Sequence, residues 1–259
     1  MNELSSMVWV EARKAWRSRM PLWTALASLF FPLGMAFLIF VSRNPEISKK
    51  LGLISAKADL VAFSGADWAA FLNFASQMTA IGGLMLLTFI ISWVFGREFA
   101  DGTLKDLLAV PVRRSSILLA KYIVTWIWSL GLTGVILSTT LLMGTRLGLP
   151  GGTSAVILRQ SGVLLLAACM TLPTCAPFAL FAGLGRGYLL PISVAVLTLM
   201  MTNLMMVLGW AEFFPWAIPG LYAQGETALA PVSYWIVALT GLAGVLVTML
   251  WWQYADQNK

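Results

Sequence analysis

Six stretches of this chain are long and apolar enough to cross a membrane, and they dominate what it can fold into. They cover residues 21–41, 71–95, 117–143, 158–184, 189–208 and 232–252. Crossing a hydrocarbon core of about 30 Å takes about 20 mostly apolar residues in a helix. A charge at the centre of such a helix costs ~2.5–3.5 kcal/mol on the insertion scale. The interiors of these runs contain no Asp, Glu, Lys or Arg except Lys121, near the start of the third. Lys121 is expected to snorkel toward the headgroups.

Composition agrees. The 259 residues are 59% hydrophobic and 11% charged, against about 25% charged in a soluble domain. A surface so poor in charge needs lipid as its solvent. The fold class is therefore all-α integral membrane, a bundle of six transmembrane helices. The first run is too long for the core of a cleaved signal peptide and is expected to stay as an anchor. The formal charge of +6 lies in short segments between apolar runs, which is how topology signals are distributed. No basic stripe interleaved with aromatics points to nucleic acid. Cys169 and Cys175 both fall in an apolar run and read as packing residues.

Loop charges set an expected orientation. With the N-terminus inside, the cytoplasmic side holds Arg13, Lys14, Arg17, Arg19, Arg97, Lys105, Arg113, Arg114, Lys121, Arg186 and Lys259. The outer side holds Arg43, Lys49, Lys50, Lys57, Arg146 and Arg159. Eleven against six favours both termini in the cytoplasm of a multi-pass plasma-membrane protein.

Residues 3–19 read as an amphipathic interfacial helix. Ser6, Arg13, Lys14 and Arg17 share one arc, and Leu4, Met7, Val8, Ala12, Ala15 and Trp16 share the other. In the first outer loop, Asp67 is placed to cap the second span, and Trp68 fits an interfacial anchor. The Gly185-Arg186-Gly187 turn makes a hairpin of spans four and five, and Pro173 and Pro177 are expected to kink the fourth. Asn73, Gln77 and Asn203 are polar side chains in or near spans, read as inter-helix contacts or pathway groups. Asn203 is expected to seek a partner across helices. Gly82-Gly83 reads as close helix packing.

The most informative segment lies between the second and third spans. Gly102 permits a turn, and Thr103 with Asp106 resembles a capping box before Leu104, Leu107 and Leu108. Pro111 ends the short helix, and Ser115 or Ser116 is placed to cap the third span. Such a helix suits docking into a groove on a soluble partner, or a plain interfacial loop.

These residues carry a family resemblance. Arg97-Glu98, Gly102-Thr103-Leu104, Leu107-Leu108, Pro111-Val112-x-Arg114 and the downstream Leu118-Leu119-Ala120-Lys121 resemble the cytoplasmic loop of permease subunits of type-2 ATP-binding-cassette (ABC) exporters. The small drug-, bacteriocin- and bacitracin-export permeases are the most similar in plan. The resemblance spans essentially the whole chain and implies a single transmembrane permease domain over residues 1–259. It implies two permease copies, each with a separate ATPase subunit, and a short cytoplasmic coupling helix. Glu98, Gly102, Thr103, Leu104, Leu107, Pro111 and Arg113 are the implied coupling residues. Arg113 and Arg114 would meet acids on the ATPase or lipid phosphate. Asp at Leu104 or Leu107 is expected to uncouple ATP hydrolysis from transport without preventing insertion.

What the chain lacks fits that division of labour. It has no Gly-x-x-x-x-Gly-Lys-Ser/Thr phosphate loop, so hydrolysis is expected in the partner. With no histidine, His-based triads, zinc sites and proton relays are excluded. Catalytic residues, metals and cofactors are accordingly not expected. A stand-alone secondary carrier or channel is the alternative, weakened by the missing intramembrane ionisable groups. An uncharged interior suits an amphipathic drug, peptide antibiotic or lipid-like cargo.

Overall fold

A computed structural model describes residues 3–44, 46–47, 65–225 and 229–254. Lys49, Lys50, Lys57, Ser64 and Lys259 lie outside the described residues. The described chain is helical, with helices α1 (Glu3–Arg17), α2 (Met20–Arg43), α3 (Trp68–Ala100), α4 (Leu104–Ala109) and α5 (Arg114–Arg146). These are followed by α6 (Ser154–Cys175), α7 (Phe178–Leu184), α8 (Leu189–Val207), α9 (Ile218–Gln224) and α10 (Pro231–Tyr254). Six segments are long and apolar enough to span a membrane: α2, α3, α5, α6 with α7, α8 and α10.

Helix α3 is the axis of the bundle, touching α2 and every helix from α4 to α9. Its 33 residues reach roughly 50 Å at about 1.5 Å per residue. That exceeds the hydrocarbon thickness of about 30 Å, so α3 and the equally long α5 continue past the lipid. Small residues let helices approach α3 closely: Ala80 meets Ala167 of α6 and Ala223 of α9 in one buried cluster. Asp67 caps α3 as expected, its carboxylate accepting from the Ala70 N–H at 2.8 Å.

Trp68 is not an interfacial anchor. It is buried, its ring clasped between Gly144 and Gly152, where a Cβ on either glycine would fall within 2.6 Å of the indole. Two glycines without side chains leave a slot that only a large flat ring fills.

The fourth span is broken rather than bent. Pro173 lies inside α6, and Pro177 separates it from α7. A proline removes a donor and displaces the preceding turn, and side chains from elsewhere take up the carbonyls at the break. The Trp216 indole N–H donates to Thr174 O at 2.7 Å and the Tyr122 hydroxyl to Ala176 O at 3.1 Å. Helix α10 lies against this break through Gly241 and Gly244, which face Pro173 and Pro177.

The sequence suggested only a loop between spans five and six. The structure has a 3-10 turn at Ala211–Phe213 and then α9, whose Ile218, Pro219, Gly220 and Ala223 are buried against α3 and α6. Asn73 holds its end, donating to Ala223 O at 3.1 Å and Gln224 O at 3.3 Å. Gln77 in turn donates to the Asn73 amide oxygen at 2.5 Å. Asn203 makes no cross-helix bond among the described contacts. It is exposed and donates to Leu199 O, four residues back, at 2.9 Å. Buried hydroxyls behave likewise: Thr88, Thr125, Thr171 and Thr248 all donate to the carbonyl four residues earlier. Such local bonds satisfy polar groups inside lipid without a partner helix.

Candidate functional site

At one end of the bundle, α1, α4 and the adjoining ends of α3 and α5 come together. The chain leaves α3 through Gly102, whose φ of +69° favours glycine. It makes the six-residue α4 and ends with Val110 extended, as the residue before a proline prefers. Thr103 makes no side-chain cap. Its backbone is already near-helical, with φ −89° and ψ 4°, whereas a capping side chain needs an extended residue. Neither Ser115 nor Ser116 caps α5, which starts one residue earlier, at Arg114, with Arg113 in the uncapped N-cap position.

Leu104 and Leu107 of α4 do not point outward together. Leu104 is buried in the main core with residues of α3, α5 and α7. Leu107 packs, half-buried, with Val112 against Met7, Ile117 and Ala120, which ties α4 to α1 and α5. Gly102, Thr103, Lys105, Asp106, Ala109, Val110, Pro111 and Arg113 form the exposed side.

Behind α4 lies a buried ionic cluster. Lys121 is fully buried and does not snorkel. Its ammonium donates to Glu98 Oε1 at 2.9 Å, Glu11 Oε2 at 3.4 Å and Val94 O at 2.7 Å. Arg97 reaches Glu98 at 3.2 Å and Glu11 at 3.4 Å, and its guanidinium lies over the Trp93 ring, 4.6 Å from the centroid. Lys14 reaches Glu11 at 2.7 Å and Glu98 at 3.4 Å. Three cations thus surround two carboxylates and bind the interfacial helix to the ends of α3 and α5. Burying these charges costs several kcal/mol per ion unless each is paired. The cluster therefore holds α1 in one position. Glu98, among the expected coupling residues, faces this cluster and not the exposed side.

Glu11 was missed by the sequence reading. Its signal was present: at four-residue spacing it shares a face with Met7 and Ala15, and all three are buried. An acid in the middle of a buried stripe calls for a cation, and Lys121 in an apolar run calls for an acid.

The neighbouring arginine has a structural task. Arg114 donates to Trp252 O at 2.8 Å, placing its charge at the negative end of α10. Arg114→Ala should cost about 1 kcal/mol locally, read as about five-fold faster amide exchange in the last turn of α10. Arg43 does the same at the opposite end of the bundle, donating to Leu147 O at 2.8 Å, the C-cap of α5. At that end, a cleft of about 580 Å³ is lined by residues including Asn73, Gln77, Gln160 and Gln224.

Comparison with known proteins decides the family. The family model of ABC-2 family transporter proteins matches residues 7–203, from inside α1 to inside α8. The chain belongs to the ABC-2 transporter family. It is also 27% identical over 177 residues to the bacitracin transport permease protein BCRB of Bacillus licheniformis, covering 67% of this chain and 85% of the relative. It is a multi-pass membrane protein, the permease subunit of an ABC transporter, and membership implies association with an ATPase subunit. The matched region contains the whole ionic cluster and α4. Neither comparison supports a stand-alone carrier.

Proposed function

We propose that this permease exports an amphipathic drug, peptide antibiotic or lipid-like compound, and that α4 is where a separate ATPase subunit drives it. The observation that carries this reading is the anchoring of α4: exposed on one side, it is fastened on the other to the core through Leu104 and to α1 through Leu107. A displacement of α4 is thereby passed to α1, α3 and α5 as one body, as rigid-body alternating access requires. Gly102, Thr103, Pro111 and Arg113 present the contact surface, Leu104 and Leu107 anchor it, and Glu98 holds the base on which it rests. Hydrolysis belongs to the partner. The whole chain, residues 1–259, acts as one permease domain with both termini in the cytoplasm.

The pathway forms between two copies of the permease. Helix α8 is the least buried span, and its exposed Asn203 uses its NH2 group locally on Leu199 O, which leaves the amide oxygen for a donor from a second copy on that face. Asn73 and Gln77, on the wall of the cleft at the far end, are placed to meet cargo leaving the pathway. The bacitracin permease among its relatives makes a peptide antibiotic the first cargo to test.

Ala109→Asp and Val110→Asp alter only the exposed side of α4. In the complex purified with its ATPase, each should leave the permease folded and reduce cargo-stimulated ATP hydrolysis about ten-fold or more, since a charged group in an apolar contact costs over 1.4 kcal/mol. Unchanged stimulation in both variants would refute the coupling role. Leu104→Asp is a different experiment. It puts a carboxylate in the core and should abolish folding, not merely coupling.

A further inference from the structure

An apolar groove of about 420 Å³ runs between α1 and α5, and the exposed Trp16 and Ile127 stand at its open side. Ala12 and Trp16 of α1 form one wall, Pro21 closes the corner, and Ile127, Gly131 and Val135 of α5 form the other. Ile127 to Val135 spans roughly 12 Å along the helix, at about 1.5 Å per residue. The groove therefore runs from the interfacial helix into the hydrocarbon, as an acyl chain does.

The exposed charges nearest to it along the chain are cationic. Arg13, Arg17 and Arg19 are exposed around the α1–α2 corner, and residues 12–43 contain no Asp or Glu. Glu11 is turned inward to Lys121 and Arg97, so, apart from the exposed Glu3 at the start of α1, the charges on its outer surface are basic. Trp9, Trp16 and Trp23 are exposed along the same stretch, at the level where indoles meet headgroups. The first turn of α2 adds its positive dipole end and carries no acid. An apolar channel below and fixed positive charge above are together complementary to one kind of molecule.

We propose that this groove is a binding site for an anionic phospholipid, one acyl chain lying against Gly131 and the headgroup held by Arg13, Arg17 and Arg19. The site is independent of the transported cargo. Bound there, the lipid stays in contact with α1, the helix that the ionic cluster ties to α3 and α5 and that Leu107 ties to α4.

The test uses the permease–ATPase complex reconstituted in vesicles of equal phosphatidylglycerol and phosphatidylcholine, re-extracted, and weighed by native mass spectrometry. Retained lipid should favour phosphatidylglycerol about five-fold or more, given the attraction per base near an anionic headgroup. A Cβ at Gly131 meets nothing within 4 Å, so Gly131→Trp should fill the groove and remove the retained lipid. Ala12→Trp, from the opposite wall, must do the same and serves if the first variant fails to fold. The double variant Arg17→Gln, Arg19→Gln should keep a lipid but lose the preference. Retention of both lipids in their bulk ratio, or undiminished retention in both Trp variants, overturns the proposal. Conversion of a permease dimer to monomers by the Trp variants also overturns it, since the groove would then be a subunit interface. ATP hydrolysis measured on the same preparations reports separately on α4, so failure of the lipid site and failure of the coupling reading are distinguishable.

Discussion

Lys121→Met lowers the unfolding stability of the permease by about 3–5 kcal/mol, the cost of breaking a buried ion pair from one side. The ammonium is fully buried and contacts Glu98, Glu11 and the Val94 carbonyl. Methionine keeps the volume and removes the charge. Among the described residues, Glu98 then retains Arg97 and the half-exposed Lys14 as cations, and Glu11 the same two. Chemical unfolding in mixed micelles measures the loss. Limited trypsin cleavage at Arg13, Lys14 and Arg17 reports the second consequence, release of α1 from the bundle. Adding Glu98→Gln to Lys121→Met should recover part of the stability, because the stranded charge is then gone. A double-mutant cycle gives the coupling between the two directly. A loss below about 1 kcal/mol would mean that the cluster is solvated like a surface pair.

The second large effect is steric. A Cβ on Gly244 would lie 2.6 Å from the backbone nitrogen of Pro177 and 2.7 Å from its Cδ. Backbone at a proline break cannot yield as the tip of a flexible side chain does. Gly244→Val should therefore cost about 3 kcal/mol or more and separate α10 from the fourth span. The expected readout is loss of the monodisperse peak in size-exclusion chromatography. Gly134→Ala is the control. Its Cβ meets nothing within 4 Å, and alanine is favoured over glycine in a helix by about 1 kcal/mol. The same kind of substitution thus carries opposite signs at the two positions, and equal stability of Gly244→Val and the native protein would contradict the packing described for α10.

The two effects differ in how far the sequence foretold them. Lys121 was visible as a charge in an apolar run, but its partners Glu11 and Glu98 lie 110 and 23 residues away. No local pattern links them. Trp68 was read as an anchor because tryptophan favours interfaces, and the slot made by Gly144 and Gly152 exists only once α3 and the end of α5 are side by side. In α4 the turn at Gly102 and the stop before Pro111 were legible, because backbone sterics act within a few residues. The division of labour between Leu104 and Leu107 was not. Six residues make under two turns, too short for a periodicity to mark one face.

The sequence by itself determined the membrane-spanning plan and the short helix between the second and third spans. Burial of some twenty apolar side chains per helix is a property of each segment alone, and so are the turn and the stop. Only the tertiary structure decided which polar groups meet, that the fourth span breaks, and that α9 folds back against α3. Those outcomes depend on contacts between helices distant in sequence. In lipid such contacts are chosen by shape and paired charge, because apolarity draws a helix into the bilayer without selecting its neighbour.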